Sequence, residues 1–333
     1  MDIIFPYRKD KNKLEVYTED NSGNTVIKNI KYSKKIVDFD KNYIKEIYMK
    51  NSLFSGYEDT VINNAVKKFS NKKSMLMGIL NATPDSFYPE SRVKNENIID
   101  NMISQKPDII DIGGESTRPG SQVINPDEEF KRIKPIIEYV KSTSKIPVSI
   151  DSRNAETIEK CLKYDIDYIN DISGFKNKGM IKIASENNVK NIVMHMIGKP
   201  QTMNNYTRYD DIIFEINNFF YEKINEMLKN NINPENIIID PGIGFSKDLN
   251  GNMDIIKSPW SFFIGFDTLF GTSMKSFIGK ITGADINDRL GGTIATSIYL
   301  NNNGVDILRL HNIKQNRDAI NVYNYIEKSL IND

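Results

Sequence analysis

From Met75 onward the chain repeats one pattern: a short, almost wholly apolar run, then a longer segment whose apolar residues recur every three or four positions. The runs are MLMGIL (75–80), DIIDIGG (108–114), PVSID (147–151), YINDIS (168–173), NIVMHM (191–196), IIIDPG (237–242), DTLFGTS (267–273) and ILRLHN (307–312). Apolar runs of this kind predict strands buried on both faces, as in a parallel sheet covered by helices. Among the intervening segments, Asn125-Pro126-Asp127-Glu128 supplies an N-cap, a proline at the first helical position and an acidic first turn. DDIIFEINNFFYEKINEMLKNN reads as a long amphipathic helix. Eight strands over residues 75–333 match the roughly 250 residues of a (β/α)8 barrel. A doubly wound open sheet is the competing α/β fold, and no GxGxxG turn follows any of the runs to support it.

Residues 1–73 are richer in Lys, Asn, Asp and Tyr, with few compact apolar runs. KLEVYTEDNSGNTVIKNI alternates on both sides of Asn21-Ser22-Gly23-Asn24, predicting a β-hairpin. YEDTVINNAVKKF (57–69) puts Val61, Ile62, Ala65, Val66 and Phe69 on one helical face. The expected organisation is therefore a small N-terminal α+β extension over 1–73, to which no chemistry attaches, packed on an α/β domain over 74–333.

Composition narrows the function. Lys+Arg and Asp+Glu number 44 each, so the net charge is zero and nothing points to nucleic acid or an acidic membrane as partner. A 39% hydrophobic content supports a large core and excludes wholesale disorder. No run of about 18 apolar residues occurs, and MDIIFPYRKDKNK has no apolar leader, so a soluble cytoplasmic protein is expected. Cys161, the single cysteine, lies in TIEKCLKYD and reads as a buried helix position. Two histidines and one cysteine at scattered positions offer no zinc spacing.

Nearly every run ends in a polar residue: Asn81, Glu115 with Ser116-Thr117-Arg118, Asp151, Asn170 with Asp171, His195, Asp240, Ser273 with Lys275, and Arg309 with His311. Any one of these is as readily a turn or cap residue. In a barrel, however, the C-terminal ends of all strands meet at one face, so the eight together predict a pocket. Asp151, Asn170 and Asp240 suit a flat heterocycle with ring N–H and amino groups. Asn81, Lys275, Arg309 and His311 suit an anion such as a phosphate.

MGILNATPDSF (77–87), DIIDIGGESTRPGS (108–121), SIDS (149–152), INDISG (169–174), VMHMIGKPQTM (193–203), IIIDPGIGFSK (237–247), GTSMKSFIG (271–279) and RLGGT through ILRLH (289–311) closely resemble the dihydropteroate synthase family. The resemblance implies a TIM barrel, a homodimer, and the condensation of 6-hydroxymethyl-7,8-dihydropterin pyrophosphate with p-aminobenzoate, with Mg²⁺ present. It implies sulfonamides as inhibitors. By the same resemblance Asp151, Asn170, Asp240 and Lys275 hold the pterin, while Asn81, Arg309 and His311 hold the pyrophosphate, Asn81 also standing near the metal. Thr117, Arg118, Pro119, Phe245 and Ser276 shape the p-aminobenzoate pocket. Lys275, Arg309, His311 and Asn81 carry the catalysis. In the implied mechanism the C9–O bond breaks first and the arylamine nitrogen then attacks, so no enzyme nucleophile is needed.

The chain departs from the family at four places. Met274 stands where Ser-Arg-Lys is usual, SFYPESR replaces SFSDGG in the first loop, Asn312 replaces an Asp after the final His, and residues 248–262 lack a strong sixth helix. Three alternatives follow: a pterin-dependent methyltransferase, a silent or altered-acceptor pterin-binding paralogue, and a bifunctional folate enzyme. ESTRPG, SxK and RxH together argue against the first. The complete anion set argues against the second. The third lacks a phosphate-cradling Gly-rich loop in 1–73.

Overall fold

A computed structural model describes residues 5–10, 13–19, 25–31, 73–82, 92–116 and 123–329. Eight parallel strands close into a barrel: β4 (Met75–Asn81), β5 (Ile109–Gly113), β6 (Val148–Asp151), β7 (Tyr168–Asp171), β8 (Lys190–Met194), β9 (Ile237–Asp240), β10 (Asp267–Phe270) and β11 (Ile307–Leu310). Each predicted run forms one of these strands. Closure runs through β11, which pairs with both β10 and β4 and so removes the sheet's edges. β5, β6 and β9 are buried along their whole length, which is why they read as unbroken apolar runs.

The inside of the barrel is filled by Met77, Ile109, Ile192, Ile238, Leu269 and Ile307, one layer of a packed core rather than a pore. A larger apolar layer joins the outer strand faces to the helices, with Ile133, Ile137, Ile216, Phe220 and Ile224 fully buried in it. Asn125 caps the helix Pro126–Thr143 as predicted, accepting from the Glu128 N–H at 2.8 Å. The long helix spans Ile212–Lys229, and Asp211 caps it. Residues 248–262 form a short helix, Leu249–Lys257, capped by Asp248, then a single 3-10 turn at Pro259–Phe262. Cys161 closes the helix Ala155–Cys161, and burial pushes its thiol up to about 12.

At the N-terminal end of the barrel, carboxylates do structural work. Asp108, Asp167 and Asp306 each precede a strand, and each accepts an N–H from the neighbouring strand, at Leu76, Val148 and Thr268 respectively, all at 2.8 Å. These hydrogen bonds satisfy donors that the ladder leaves over. Carboxylates at the opposite end have different surroundings.

In the N-terminal region β1 (Phe5–Asp10), β2 (Lys13–Glu19) and β3 (Thr25–Lys31) form an antiparallel sheet, with Glu19 opposite Thr25 across the predicted hairpin. The helix expected at 57–69 lies outside the described residues. Among the described residues no helix is long and apolar enough to cross a membrane.

Candidate active site

Strand register brings the polar strand ends into one ring. Asn81 pairs with Gly113, Gly113 with Asp151, and Asp151 with Asn170, while Met194 pairs with Asp240. The ring opens into a pocket lined by Asp151, Asn170, Asp240, Lys275 and Arg309, with Ile172, Met194 and Phe245 as an apolar wall. Of the residues expected to hold a heterocycle, all four are here.

Two residues that sequence reasoning passed over stand behind them, outside the pocket lining. Asp111 is fully buried inside β5, and its Oδ2 accepts from Asn170 Nδ2 at 3.1 Å and from Arg309 Nε at 2.6 Å. Its Oδ1 has no protein donor. The available signal was a carboxylate in the middle of the apolar run DIIDIGG. Lys247, also buried, donates to the Phe245 carbonyl at 2.8 Å and meets His195 Nδ1 at 3.1 Å. No spacing in the sequence announces that contact.

Arg309 points into the acidic group. It sits in register with Met77, four residues below Asn81 on the neighbouring strand, so its long side chain reaches upward. Nη2 donates to Asp151 Oδ2 at 2.6 Å while Nε serves Asp111. His311, just beyond β11, is exposed and bonded through Nδ1 to Ser273 Oγ at 3.0 Å. Of the two residues expected to share an anion, Arg309 thus bonds the buried carboxylates, whereas His311 bonds Ser273.

Electrostatics follow from burial. Desolvation pushes Asp151 up to about 7, with Arg309 opposing the shift and Asp111 adding to it. Asp240 is raised to about 6, again chiefly by burial, and its Oδ1 accepts the Gly242 N–H at 2.8 Å. Burial and the nearby Arg309 bring Lys275 down to about 8. Burial also opposes the Arg309 charge, but Asp111 and Asp151 outweigh it and hold the guanidinium charged. Lys275 Nζ lies 4.2 Å from the Phe245 ring centre, a cation–π contact that fixes both side chains.

Around this centre, Glu115 forms a bidentate pair with Arg153 at 2.8 and 2.9 Å, tying the base of the second loop to the residue two past Asp151. Thr117, Arg118 and Pro119 lie outside the described residues, as does the first-loop segment SFYPESR. Ser276 is the exposed first residue of the helix Ser276–Thr282. Met274 adopts a left-handed φ of 58°, and its carbonyl accepts from Arg289 Nη1 at 3.1 Å. Asp171 accepts from the Ser173 and Phe175 backbone, and is a turn residue rather than part of the pocket. His195 is buried and held by Lys247, outside the cavity lining.

Carboxylate acceptors set against two cations suit a ligand that carries both an N–H-rich heterocycle and an anion. Residues 77–311 match the family model described as pterin binding enzyme. A dihydropteroate synthase of Synechocystis sp. is 38% identical over 250 residues, covering 73% of this chain and 86% of the relative. A dihydropteroate synthase structure from Clostridium difficile, determined in the presence of pteroic acid, superposes with a TM-score of 0.71 at 36% identity, covering 77% of this chain and 97% of that one. A Xanthomonas albilineans dihydropteroate synthase structure with 4-aminobenzoic acid gives a TM-score of 0.72 at 28% identity, covering 77% and 94%. On this evidence the chain belongs to the pterin-binding enzymes and, among them, to the dihydropteroate synthases, which are transferases.

Proposed function

We propose that the chain joins 6-hydroxymethyl-7,8-dihydropterin pyrophosphate to p-aminobenzoate, releasing pyrophosphate and 7,8-dihydropteroate. The observation that carries this reading is the meeting of Asp111, Asp151, Asn170, Asp240, Lys275 and Arg309 at one end of the barrel. Asp151 and Asp240 accept the pterin's N–H groups, Asn170 is oriented by Asp111, and Lys275 donates to the ring's oxygen and nitrogen side. The wall formed by Ile172, Met194 and Phe245 covers the flat faces.

In the reaction the C9–O bond breaks, its electron pair leaves with the pyrophosphate, and the dihydropterin ring delocalises the resulting cation. Arg309, His311 and Asn81 donate to the leaving group, and their hydrogen bonds strengthen as its charge develops. The arylamine nitrogen then attacks C9 and loses a proton. Thr117, Arg118, Pro119, Phe245 and Ser276 shape the acceptor's side of the pocket.

Among the described residues no group of three or more His, Cys, Asp or Glu could hold a metal alone. Mg²⁺ fits here only as an ion shared with the substrate, since it commonly keeps its waters and binds through one or two protein oxygens plus phosphates. Asn81, whose Oδ1 borders the same space over Gly113 as Asp151, would be its protein ligand, and the bound ion would neutralise the pyrophosphate. Homodimerisation is inferred from the family resemblance.

The test is pyrophosphate release by the purified protein with Mg²⁺ and the pterin pyrophosphate, with and without p-aminobenzoate. Arylamine-dependent release with formation of dihydropteroate is expected. Pterin binding without turnover would overturn the reading.

A further inference from the structure

The guanidinium of Arg309 presents to the carboxylates an edge of N–H donors on nitrogens bonded to one carbon. A 2-amino-4-oxo heterocycle presents the same edge, a ring N–H beside an exocyclic amino group, so the two are competitors for one acceptor. Nη2 of Arg309 already occupies Asp151 Oδ2 at 2.6 Å, and Nε occupies Asp111 Oδ2 at 2.6 Å. A pterin that bonds Asp151 through both carboxylate oxygens meets this arginine as a competitor at Oδ2.

A displaced guanidinium needs another anion, because a charge held in a buried site without a partner is strongly disfavoured. Space for the movement lies beside Gly271. A Cβ there would meet, beyond its chain neighbours, only the Arg309 Cβ within 4 Å, at 3.8 Å. Two residues further on, Ser273 bonds His311, the other donor assigned to the anion.

Building on the pterin reading above, we propose that Arg309 determines specificity by competing with the pterin ring for Asp151 and yielding it to a pterin that carries pyrophosphate, which receives the released guanidinium. A pterin without pyrophosphate displaces Arg309 into a site with no anion and is bound weakly. After pyrophosphate has left, the arginine returns to Asp111 and Asp151 and helps to expel the dihydropteroate ring.

The test is calorimetric titration of the full-length protein and of Arg309→Gln with two ligands, 6-hydroxymethyl-7,8-dihydropterin and its pyrophosphate. The variant is expected to bind the pyrophosphate-free pterin about fivefold more tightly and the pyrophosphate about tenfold or more weakly, as follows from removing a competitor and a charged hydrogen bond respectively. Equal weakening of both ligands, or unchanged affinity for the pyrophosphate-free pterin, overturns the proposal. Removing the arginine also strips two buried carboxylates of their counter-charge. A second measurement therefore uses the wild-type protein: the Nε–H resonance of Arg309, assigned through Arg309→Lys, is followed during titration with the pterin pyrophosphate. Loss of its solvent-protected, carboxylate-bonded position is expected, and a resonance unmoved at saturation overturns the proposal. A wild-type protein that binds neither pterin overturns the pterin reading itself, a result distinct from either of these.

Discussion

Lys247 meets Nδ1 of His195 at 3.1 Å, joining the end of β8 to the turn that follows β9. Burial, and then the charges of Lys247 and Lys176, push His195 down to about 2, so its ring is neutral. With Lys247 as donor, Nδ1 accepts and the ring proton resides on Nε2. The same ammonium donates to the Phe245 carbonyl at 2.8 Å, and Phe245 in turn lies against Lys275. A residue outside the pocket lining thereby sets the wall and one cation of the pocket.

Lys247→Met keeps the length of the side chain and removes its donors. Lost hydrogen bonds of this kind are worth about 1–3 kcal/mol, and at roughly 2–4 °C per kcal/mol the melting temperature should fall by several degrees. Pterin affinity should fall with it as Phe245 loosens. Calorimetric unfolding that matches the wild type would contradict this assignment.

Asp151→Asn replaces a carboxylate oxygen by an amide NH₂, which opposes the pterin's donors with a donor. Loss of a charged hydrogen bond is worth about 1.5–3 kcal/mol, so affinity should fall roughly tenfold to more than a hundredfold. Fluorescence titration with the pterin pyrophosphate reads this directly, and unchanged affinity would remove Asp151 from the pterin site.

The raised carboxyls give a pH dependence. Asp151 and Asp240 have ordinary values of 3.8 and titrate in the folded protein near 7 and 6. Protonation removes an acceptor, so pterin affinity should weaken as pH falls through 7 and again through 6. Folding responds in the opposite sense. Between pH 4 and 7 the folded state binds more protons than the unfolded one, so these two groups make stability decline as pH rises across that window. In Asp151→Asn the upper step in affinity should vanish, and its persistence would assign that step elsewhere.

Gly242 has a φ of 71°, and a Cβ there would stand 2.1 Å from the His195 carbonyl oxygen. Gly242→Ala combines left-handed strain of about 1–2 kcal/mol with a backbone clash, and should lower the melting temperature by more than the roughly 2–8 °C which that strain alone implies. Thermal unfolding measures it. A smaller loss would mean that the β9 turn moves freely.

Arg153 pairs with Glu115 at the root of the second loop, whose further residues are assigned to p-aminobenzoate. Arg153→Met should raise KM for p-aminobenzoate several-fold while KM for the pterin pyrophosphate changes little. Arg153→Lys should recover part of the loss, since a single cation replaces a bidentate fork. Equal changes in both KM values would show that the pair supports the barrel as a whole.

The strands were legible in the sequence because parallel strands covered on both faces must be apolar throughout, and the polar residues closing those runs marked the ring at the barrel mouth. Asn125 as a cap and the hairpin around Asn21–Asn24 were legible for an equally local reason, since capping and turn chemistry act over a few residues. Asp111 was hidden because a residue within a run faces either the barrel interior or the helices, and only the closed register decides which. Arg309 was readable as a cation at a strand end, but its partners lie 198 and 158 residues away. Whether it faced His311 or the acidic group depended on its depth in the barrel, which register with Met77 determines. Local pattern determined the elements and their polar ends, whereas closure of the sheet decided which charges meet, because long-range pairing leaves no periodic trace in the chain.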